Sequence, residues 1–406
     1  MVIYQILIRL LSPLIWLIVA IEAFKHKAGW TFITQKLGLH YTQSPATLQN
    51  PIWIHCASVG EVKAAEPLIR QLMANHRILL TTNTKTSQQL VSDLFSEQVF
   101  HRYLPFDWPF ALKRFVKTYK PSKLWVIETE IWPNLFRVAN KNGIEIAILN
   151  GRLTQKTFTS PQWLQTAYRN SLRRVNKIIA RSELDAKMFK KLGATPDKIQ
   201  VLGNLKYAAQ PEVHNQPRPI ESPFVLAAST HNDEELNIVN LWLNMNRPEL
   251  LVIVPRHPKR TAKIQKQLEF LGTKLKVATK QEMIDEQTRV YLDDRIGRLL
   301  PLYAHAEVVI MGGSYVAKGG HNILEPAAFK KAIITGPDSS DFEDEMTLLK
   351  ASNGIIQNQD YSQLQQALIQ LLSNPEQAKQ LGENAYQALQ KQKNTLQKYL
   401  AALNIT

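Results

Sequence analysis

Short apolar runs alternate with helical patterns along almost the whole of this 406-residue chain. Apolar runs bounded by polar loops are typical of strands that are buried on both faces. Their alternation with helices predicts parallel sheets covered by helices on both sides. The predicted strands are 52–55, 78–81, 124–127, 144–149, 178–180, 199–202, 224–228, 250–254, 290–292, 308–310 and 332–334. The helices predicted between the early strands are 62–74, 86–96, 109–119, 161–175 and 183–192.

A polar stretch at 208–223 interrupts this alternation. It contains four prolines: Pro211, Pro217, Pro219 and Pro223. Such a composition is typical of a linker. We therefore expect two doubly wound Rossmann-like domains, 25–207 and 224–375, that face a cleft at the carboxyl ends of their strands. A Gln/Lys/Leu-rich helix over 376–406 follows, in a position to pack back across the linker.

The first 24 residues are mostly apolar and long enough to cross a bilayer. Four residues interrupt the run: Gln5, Arg9, Pro13 and Glu22. No small-residue cleavage site follows, so a removable signal is not expected. The sequence predicts a membrane-anchoring helix at 1–24 and leaves open whether it spans the bilayer or lies in the interface. Three lysines after it, Lys25, Lys27 and Lys36, place the remaining chain on the cytoplasmic side.

The net charge of +15 is carried by one half of the chain. Residues 1–210 contain 28 basic and 12 acidic side chains, whereas residues 211–406 contain 21 and 22. A basic half indicates contact with nucleic acid, an anionic membrane surface or a phosphorylated substrate. The anchor in the same half favours phospholipid over nucleic acid. The single cysteine, Cys56, excludes internal disulfides, and no histidine–carboxylate cluster has metal-ligand spacing.

A glycine-rich turn follows the predicted strand 308–310. Met311, Gly312 and Gly313 leave that strand, and a second glycine pair at 319–320 precedes a helix that we expect to begin near His321. Glycines let the backbone approach a ligand, and the free N–H groups of a helix start attract anions. Glu325 would then lie where a carboxylate reaches ribose hydroxyls. The pattern predicts a nucleotide-sugar site, with an ordinary tight turn as the alternative.

Charged side chains follow several other predicted strands. Glu61 is placed to act as a general base, although an acid at a helix start also complements the helix dipole. Glu128 and Glu130 come directly after a buried strand, where they are functional candidates, partners in a salt bridge or helix caps. Lys206 can offset developing negative charge or be solvated, and Arg256 suits forked contact with phosphate. Residues 230–234 are expected to cap a helix.

The ordered set of these motifs resembles the 3-deoxy-D-manno-octulosonic acid (Kdo) transferases. The motifs are Ser58-Val59-Gly60-Glu61, Glu128-Thr129-Glu130-Ile131-Trp132-Pro133-Asn134, Gly203-Asn204-Leu205-Lys206, Pro255-Arg256-His257-Pro258 and Gly319-Gly320-His321-Asn322 with Glu325. The resemblance implies a GT-B glycosyltransferase fold and inverting transfer of Kdo from CMP-Kdo to the lipid A precursor lipid IV(A). This step belongs to lipopolysaccharide biosynthesis, on the cytoplasmic side of the Gram-negative inner membrane.

The resemblance also implies roles for individual residues. Glu61 matches the proton acceptor, and Glu128 and Lys206 match transition-state stabilisers. The residues that match the CMP site are Pro255, Arg256, Met311, Gly312, Gly313, Asn322, Ile323, Leu324 and Glu325. No metal or cofactor is implied. The segment Asn150-Gly151-Arg152 departs from the family pattern, away from the catalytic set. A transferase that uses a UDP-sugar and a membrane-tethered binding protein stay open as alternatives.

Overall fold

The computed structural model describes residues 2–26, 28–41, 48–208 and 216–405. The chain divides into two units, one of Met1–Ala209 with Asn394–Thr406 and one of Gln210–Lys393. Part of the predicted linker, including Pro211, lies outside the described residues, and so does Lys27. Ala208, the first linker residue, ends a short 3-10 helix, and the described residues 216–223 contain neither helix nor strand.

The first unit is a parallel sheet covered by helices. Its strands, within the described residues, are β1 (Ile52–His55), β2 (Ile78–Thr82), β3 (Phe100–Tyr103), β4 (Lys123–Ile127), β5 (Glu145–Gly151), β6 (Lys177–Ala180) and β7 (Ile199–Val201). Its helices there are α1 (Val2–Leu10), α2 (Ser12–Lys25), α3 (Gly29–Lys36), α4 (Val59–Met73), α5 (Lys85–Phe95), α6 (Pro109–Tyr119), α7 (Pro133–Lys141), α8 (Gln155–Thr159), α9 (Gln162–Leu172), α10 (Glu183–Leu192) and, from the end of the chain, α18 (Thr395–Ala402).

The strands of the first unit lie in the order β3-β2-β1-β4-β5-β6-β7, and every neighbouring pair is parallel. Successive residues of β1 enter different cores because side chains alternate across a strand. Trp53 lies in one cluster with Phe115, whereas Ile54 lies in another with Val62 and Leu68. Both faces of the sheet are therefore buried, as the apolar runs predicted.

The second unit repeats this architecture. Its described strands are β8 (Phe224–Thr230), β9 (Leu250–Pro255), β10 (Leu275–Val277), β11 (Val290–Leu292), β12 (Val308–Met311), β13 (Ala332–Thr335) and β14 (Ile356–Gln357). Its described helices are α11 (Glu234–Met245), α12 (Thr261–Glu269), α13 (Leu299–His305), α14 (Leu324–Ala328), α15 (Glu343–Ala351), α16 (Tyr361–Ser373) and α17 (Pro375–Gln390). The strand order is β10-β11-β9-β8-β12-β13-β14, again parallel throughout.

The fold class predicted from the sequence is confirmed, since both units are doubly wound parallel sheets. Three strands, β3, β10 and β14, were not predicted because their residues are partly exposed and form no apolar run. The predicted single C-terminal helix is wrong. It is two helices, α17 and α18, separated by turn residues 391–394. The second of them packs in the first unit, where the Tyr399 hydroxyl donates to the Gly203 carbonyl at 3.0 Å.

The apolar N-terminus forms the two helices α1 and α2. Among the described residues no single helix has the length and apolar character to cross a membrane, but α1 and α2 together do, with a bend of 53° between them. One side of α2 packs on the first unit through Val19 and Ala23. The other side is exposed and apolar, and its large exposed residues include Trp16, Leu17 and Ile21.

Candidate active site

The strand order of the first unit reverses between β1 and β4. In a doubly wound sheet the loops at such a reversal diverge, and ligands bind outside the carboxyl ends of the two strands. The loop after β1 leads directly to Glu61 in the first turn of α4, and the loop after β4 carries Glu128 and Glu130. The structure therefore brings the three predicted carboxylates to one point of the sheet edge.

The side chain of Glu61 is held in place by the start of its own helix. Ser58 caps α4 by accepting a hydrogen bond from the Glu61 N–H at 3.3 Å. In return, Glu61 Oε1 accepts from the Ser58 hydroxyl at 3.1 Å and Oε2 from the Ala57 N–H at 2.7 Å. This is a variant of the capping box. Glu61 therefore has the helix-start role that the sequence offered as an alternative. The same hydrogen bonds fix the orientation of its carboxylate.

The surroundings of Glu61 favour its protonated form. Burial raises the pKa of Glu61 to about 8, and the charges of Glu130 and Glu128 act in the same direction. Hydrogen bonds from Ala57 and Ser58 oppose the shift without cancelling it. The side chain keeps 8% of its surface exposed, so a substrate can reach it. A carboxyl with a pKa near the operating pH is suited to general-base catalysis.

The two acids after β4 differ in environment. Glu128 has a left-handed backbone, with φ of 59°, which is uncommon for a side chain other than glycine. Glu130 Oε2 accepts from the Trp132 indole at 2.7 Å and lies 3.8 Å from His55 Nε2. Burial alone would raise the pKa of Glu130, but His55, Trp132 and Lys36 outweigh burial and lower it. Glu130 therefore stays ionised beside the more readily protonated Glu61.

Lys206 lies in a short 3-10 helix, Leu205–Ala208, that follows the edge strand β7. This helix turns back over the unit and packs against α4 and α18. The Leu205 N–H anchors it by donating to Asn150 Oδ1 at 2.9 Å. Lys206, half-buried, is thereby placed on a segment packed against the helix that carries Glu61. Asn150 thus supplies a hydrogen bond to the residue that precedes Lys206.

The sequence interpretation missed the environment of Lys36. This lysine was counted with the positive charges that flank the anchor, but it is buried and donates to Asn83 Oδ1 at 2.9 Å. Burial lowers the pKa of Lys36 to about 8, opposed by the charges of Glu22 and Glu130. Lys36 and Asn83 line a cavity of about 210 Å³, and Ser58 lines a neighbouring one of about 260 Å³. Ser58 and Lys36, which line these cavities, interact with Glu61 and Glu130 respectively.

In the second unit the strand order reverses between β8 and β12. Met311 ends β12, and the predicted glycine turn follows it. At Gly312 a side chain would collide with the backbone of Ser229 and Thr230, at 2.6 Å. This glycine therefore makes room for the end of the neighbouring strand β8 rather than for a ligand. Gly313 has φ of 68°, in the left-handed region that favours glycine.

Glu234 joins the two loops at this reversal. Its carboxylate accepts from the N–H groups of His231 at 2.8 Å, Gly313 at 2.7 Å and Tyr315 at 3.0 Å. Glu234 is completely buried, and both of its oxygens are used by the backbone. It follows the first strand of its sheet as Glu61 does. Its contacts indicate a structural role.

The predicted helix start near His321 is wrong. Residues 319–323 are irregular, and α14 begins at Leu324 and spans five residues. Gly319 and Gly320 both have φ of 76°, which excludes them from a right-handed helix. Asn322 Oδ1 instead accepts from the Leu324 N–H at 3.1 Å, and its amide donates to Glu325 Oε1 at 3.0 Å. The side chain of Ile323 is buried, so at 323 only backbone is available to a ligand.

Arg256 follows β9, and its side chain is exposed. It forms neither a hydrogen bond nor an ion pair through its guanidinium with any residue in the described ranges. With Pro255 and Ser229 it lines a cavity of about 340 Å³ that also contains Arg295 and Arg298. Arg295 is held by a two-pronged bond to the buried Asp293, at 2.7 and 2.8 Å. This recess is electropositive and is suited to a phosphate.

The sequence interpretation also missed a histidine cluster beside Gly313. His231 was assigned to a helix cap and His321 to a helix start, yet their Nε2 atoms lie 2.9 Å apart. His257 meets the ring of His231 edge to face, with ring centres 5.6 Å apart. The cluster could have been predicted only from the strand order, because the three histidines follow neighbouring strands of one sheet. In the described ranges no group of three or more histidine, cysteine, aspartate or glutamate side chains is arranged to hold a metal ion.

The model of the 3-deoxy-D-manno-octulosonic-acid transferase family matches residues 31–209. A 3-deoxy-D-manno-octulosonic acid transferase of Haemophilus influenzae is 32% identical over 98% of this chain and 97% of its own length. The chain belongs to the Kdo transferase family. The model of the group 1 glycosyl transferases also matches residues 249–388, and the chain is accordingly a glycosyltransferase.

Solved structures support the fold assignment of this Kdo transferase family member. A UDP-GlcNAc 2-epimerase from Neisseria meningitidis is 15% identical and has a TM-score of 0.59, covering 87% of this chain and 99% of its own. A glycosyltransferase from Rickettsia africae is also 15% identical, with a TM-score of 0.55 and coverage of 87% and 98%. At this identity the likeness concerns the fold, which is the GT-B arrangement of two Rossmann-like sheets.

Proposed function

We propose that this glycosyltransferase moves Kdo from CMP-Kdo to lipid IV(A) with inversion and releases CMP, in lipopolysaccharide biosynthesis. The observation that carries the proposal is a carboxyl with a raised pKa, Glu61, at the sheet reversal of a Kdo transferase family member. The first unit binds the acceptor and the second binds the donor. This division follows the basic charge of residues 1–210 and the arginine-lined recess of the second unit.

In the proposed reaction Glu61 removes the proton from an acceptor hydroxyl. The acceptor oxygen forms a bond to C2 of Kdo while the bond from C2 to the CMP oxygen breaks, and the electron pair leaves with the phosphate. Burial and the nearby Glu130 and Glu128 raise the pKa of Glu61 and so strengthen it as a base. Glu128 and Lys206 stabilise the charge that develops in the transition state.

In the second unit we assign CMP to the recess that follows β8, β9 and β12. Arg256 is the phosphate ligand because its guanidinium is exposed and uncommitted among the described residues. Pro255 and the turn residues 311–313 form the wall, and Asn322 to Glu325 contact the ribose. The five-residue helix α14 contributes Glu325 in its first turn. No metal or cofactor is part of this proposal.

We also propose that the protein acts at the cytoplasmic face of the bacterial inner membrane. The exposed apolar sides of α1 and α2 support an N-terminal anchor, and two aromatic side chains continue this surface: Phe24 and Trp30. Anionic phospholipid complements the basic first half of the chain. An anchor would hold the acceptor site near a substrate that is itself a lipid.

The test is a transfer assay on the purified full chain with CMP-Kdo and lipid IV(A), read by mass spectrometry. We expect a product heavier than lipid IV(A) by one or more Kdo residues, together with free CMP. Lack of any product, with UDP-sugars accepted in place of CMP-Kdo, would contradict the proposal in favour of the alternative donor class. Lack of transfer from every donor would favour a binding protein.

A further inference from the structure

The rings of His231 and His321 are joined edge to edge. Their Nε2 atoms are 2.9 Å apart, closer than two stacked rings can approach, which is about 3.4 Å at van der Waals contact. The ring centres are 5.1 Å apart and the planes differ by 9°, so the two nitrogens lie between the centres in a common plane. One imidazole therefore donates its Nε2 proton to the other.

This contact requires one proton between the two Nε2 atoms, and it can form in a neutral pair or in a pair with a charge of +1. Two neutral imidazoles share one proton at Nε2, and a further proton would give the pair a charge of +1. Burial lowers the pKa of His231, and the neighbouring His257, Arg260, Lys318 and Arg256 act in the same direction. Burial, His231, Arg256 and His257 lower the pKa of His321 to about 4. In the free protein at neutral pH the pair is uncharged.

His231 of this pair lines a polar pocket of about 520 Å³. The residues that line it are His231, Asn232, Asp233, His257, Arg260, Val316 and Lys318. Arg260 is already bound to Glu235 at 2.9 and 3.1 Å, and Glu234 is occupied by backbone N–H groups. The remaining charged residues of the lining are Lys318 and Asp233, one of each sign. An anion bound in this pocket would therefore be stabilised by a further positive charge on the histidine pair.

The pair also lies against Gly313, one of the residues assigned to the donor. A side chain at Gly313 would come within 3.0 Å of His321 Nε2 and 3.4 Å of the His231 ring. Gly313, in the turn assigned to the donor, is thus packed directly against both histidine rings. An acidic group of a donor bound at this turn would therefore lie close to the two imidazole rings.

We propose that the pocket beside Gly313 binds an acidic group of the sugar donor and that the His231–His321 pair takes up one proton as it does so. This inference rests on the proposed function, because it requires a donor with an anionic group. The donor carries two such groups, a phosphodiester and the sugar carboxylate. Proton uptake turns a neutral pair into a cation only when an anion is present, so an empty site does not hold a buried uncompensated charge.

The pH dependence follows from the sign of this change. An anion near the pair favours its charged form and raises its pKa, by about 1–3 units for a contact within hydrogen-bonding range. Donor binding should therefore tighten as the pH falls towards about 6, where the bound pair is protonated and the free pair is not. A neutral nucleoside should show no such dependence.

The experiment is isothermal titration calorimetry of the full chain in buffers with different ionisation enthalpies. The probes are CMP-Kdo, CMP and cytidine, at about pH 6. We expect a net uptake approaching about one proton with CMP-Kdo and none with cytidine. Uptake with CMP-Kdo alone assigns the sugar carboxylate to the pocket, whereas equal uptake with CMP assigns the phosphate. Both results support the proposal.

The variants His231→Gln and His321→Gln should bind CMP-Kdo without the uptake. His305→Gln is the matched control, because His305 lies in the same unit and contacts the Gln216 carbonyl instead. If either variant fails to fold, ¹⁵N NMR of the wild-type imidazoles before and after CMP-Kdo addition reports the same proton. Equal uptake in wild type and folded variants, or unchanged imidazole signals, would overturn this inference alone. Failure of CMP-Kdo to bind would overturn the proposed donor as well.

Discussion

The two units share one topology but have opposite electrostatics at the point where the strand order reverses. In the first unit the loops after β1 and β4 bring acids together, and the pKa of Glu61 is raised. In the second unit the loops after β8 and β12 bring histidines together among cations, and the pKa of His321 is lowered. The sheet sets the place of a site, and a few loop residues set its chemistry.

A second contrast concerns two glutamates at matching positions. Glu61 and Glu234 each follow the first strand of their sheet and lie in the first turn of the next helix. Glu61 keeps 8% of its surface exposed, whereas Glu234 has none and binds three backbone N–H groups. Position at the reversal therefore does not by itself identify a catalytic acid. Glu61 and Glu234 are distinguished by their solvent exposure and by the number of backbone N–H groups that their carboxylates bind.

The largest expected effect is that of Glu61→Gln on transfer. We expect a loss of about 10²–10⁴-fold in the rate of transfer, because the amide cannot accept a proton. The fold should be kept, since the amide oxygen can accept from Ala57 and the NH₂ group can donate to Ser58. Glu66→Gln, on the same helix and paired with Arg70, is the control. Normal turnover by Glu61→Gln would show that Glu61 is not the catalytic base.

In the second unit Arg256→Ala should weaken CMP binding by roughly 10- to 150-fold, the range for loss of a hydrogen bond to a charged group. The measurement is equilibrium titration with CMP. Arg247→Ala is the control, because that arginine pairs with Glu249 within the same unit. Unchanged affinity of Arg256→Ala for CMP would show that Arg256 does not bind the phosphate. It would also weaken the electrostatic contrast between the two units.

The contrast between the two glutamates predicts a different result for Glu234→Gln. An amide offers one acceptor oxygen to three N–H groups, so at least one buried donor loses its partner. We expect the free energy of unfolding to fall by about 1–3 kcal/mol, measured by denaturant titration. Glu61→Gln should change it much less. Equal destabilisation by both variants would break the distinction between a structural and a catalytic acid.

Much of the fold and part of the two candidate sites could be predicted from the sequence. Central strands such as β1 and β8 were evident because both faces are buried, whereas the edge strand β3 is polar and partly exposed. The carboxylates after β1 and β4 were found because each directly follows an apolar run. The His231–His321 contact joins residues 90 positions apart, and no local pattern reports it. The pKa of Glu61 depends on burial and on Glu130, which only the folded chain brings near.

The smallest expected effect concerns the membrane. Phe24 and Trp30 are 89% and 73% exposed in the first unit, and Phe270 is 90% exposed in the second. Replacing Phe24 and Trp30 with serine should weaken binding to anionic phospholipid vesicles by roughly three- to tenfold, because part of the anchor stays apolar. Phe270→Ser should leave it unchanged. Equal effects of the two changes in a flotation assay would argue against an anchor confined to the first unit.

The pH profile of transfer tests the central claim most directly, namely that Glu61 is a base whose pKa is raised by burial and, further, by its acidic neighbours. The base works only when ionised, so the rate of transfer at limiting acceptor should rise with pH through an apparent pKa of about 8. Glu130→Gln removes a charge that raises this pKa and should move the rise to lower pH. A profile that is flat or falls across this range, or one unchanged by Glu61→Gln, would contradict the account.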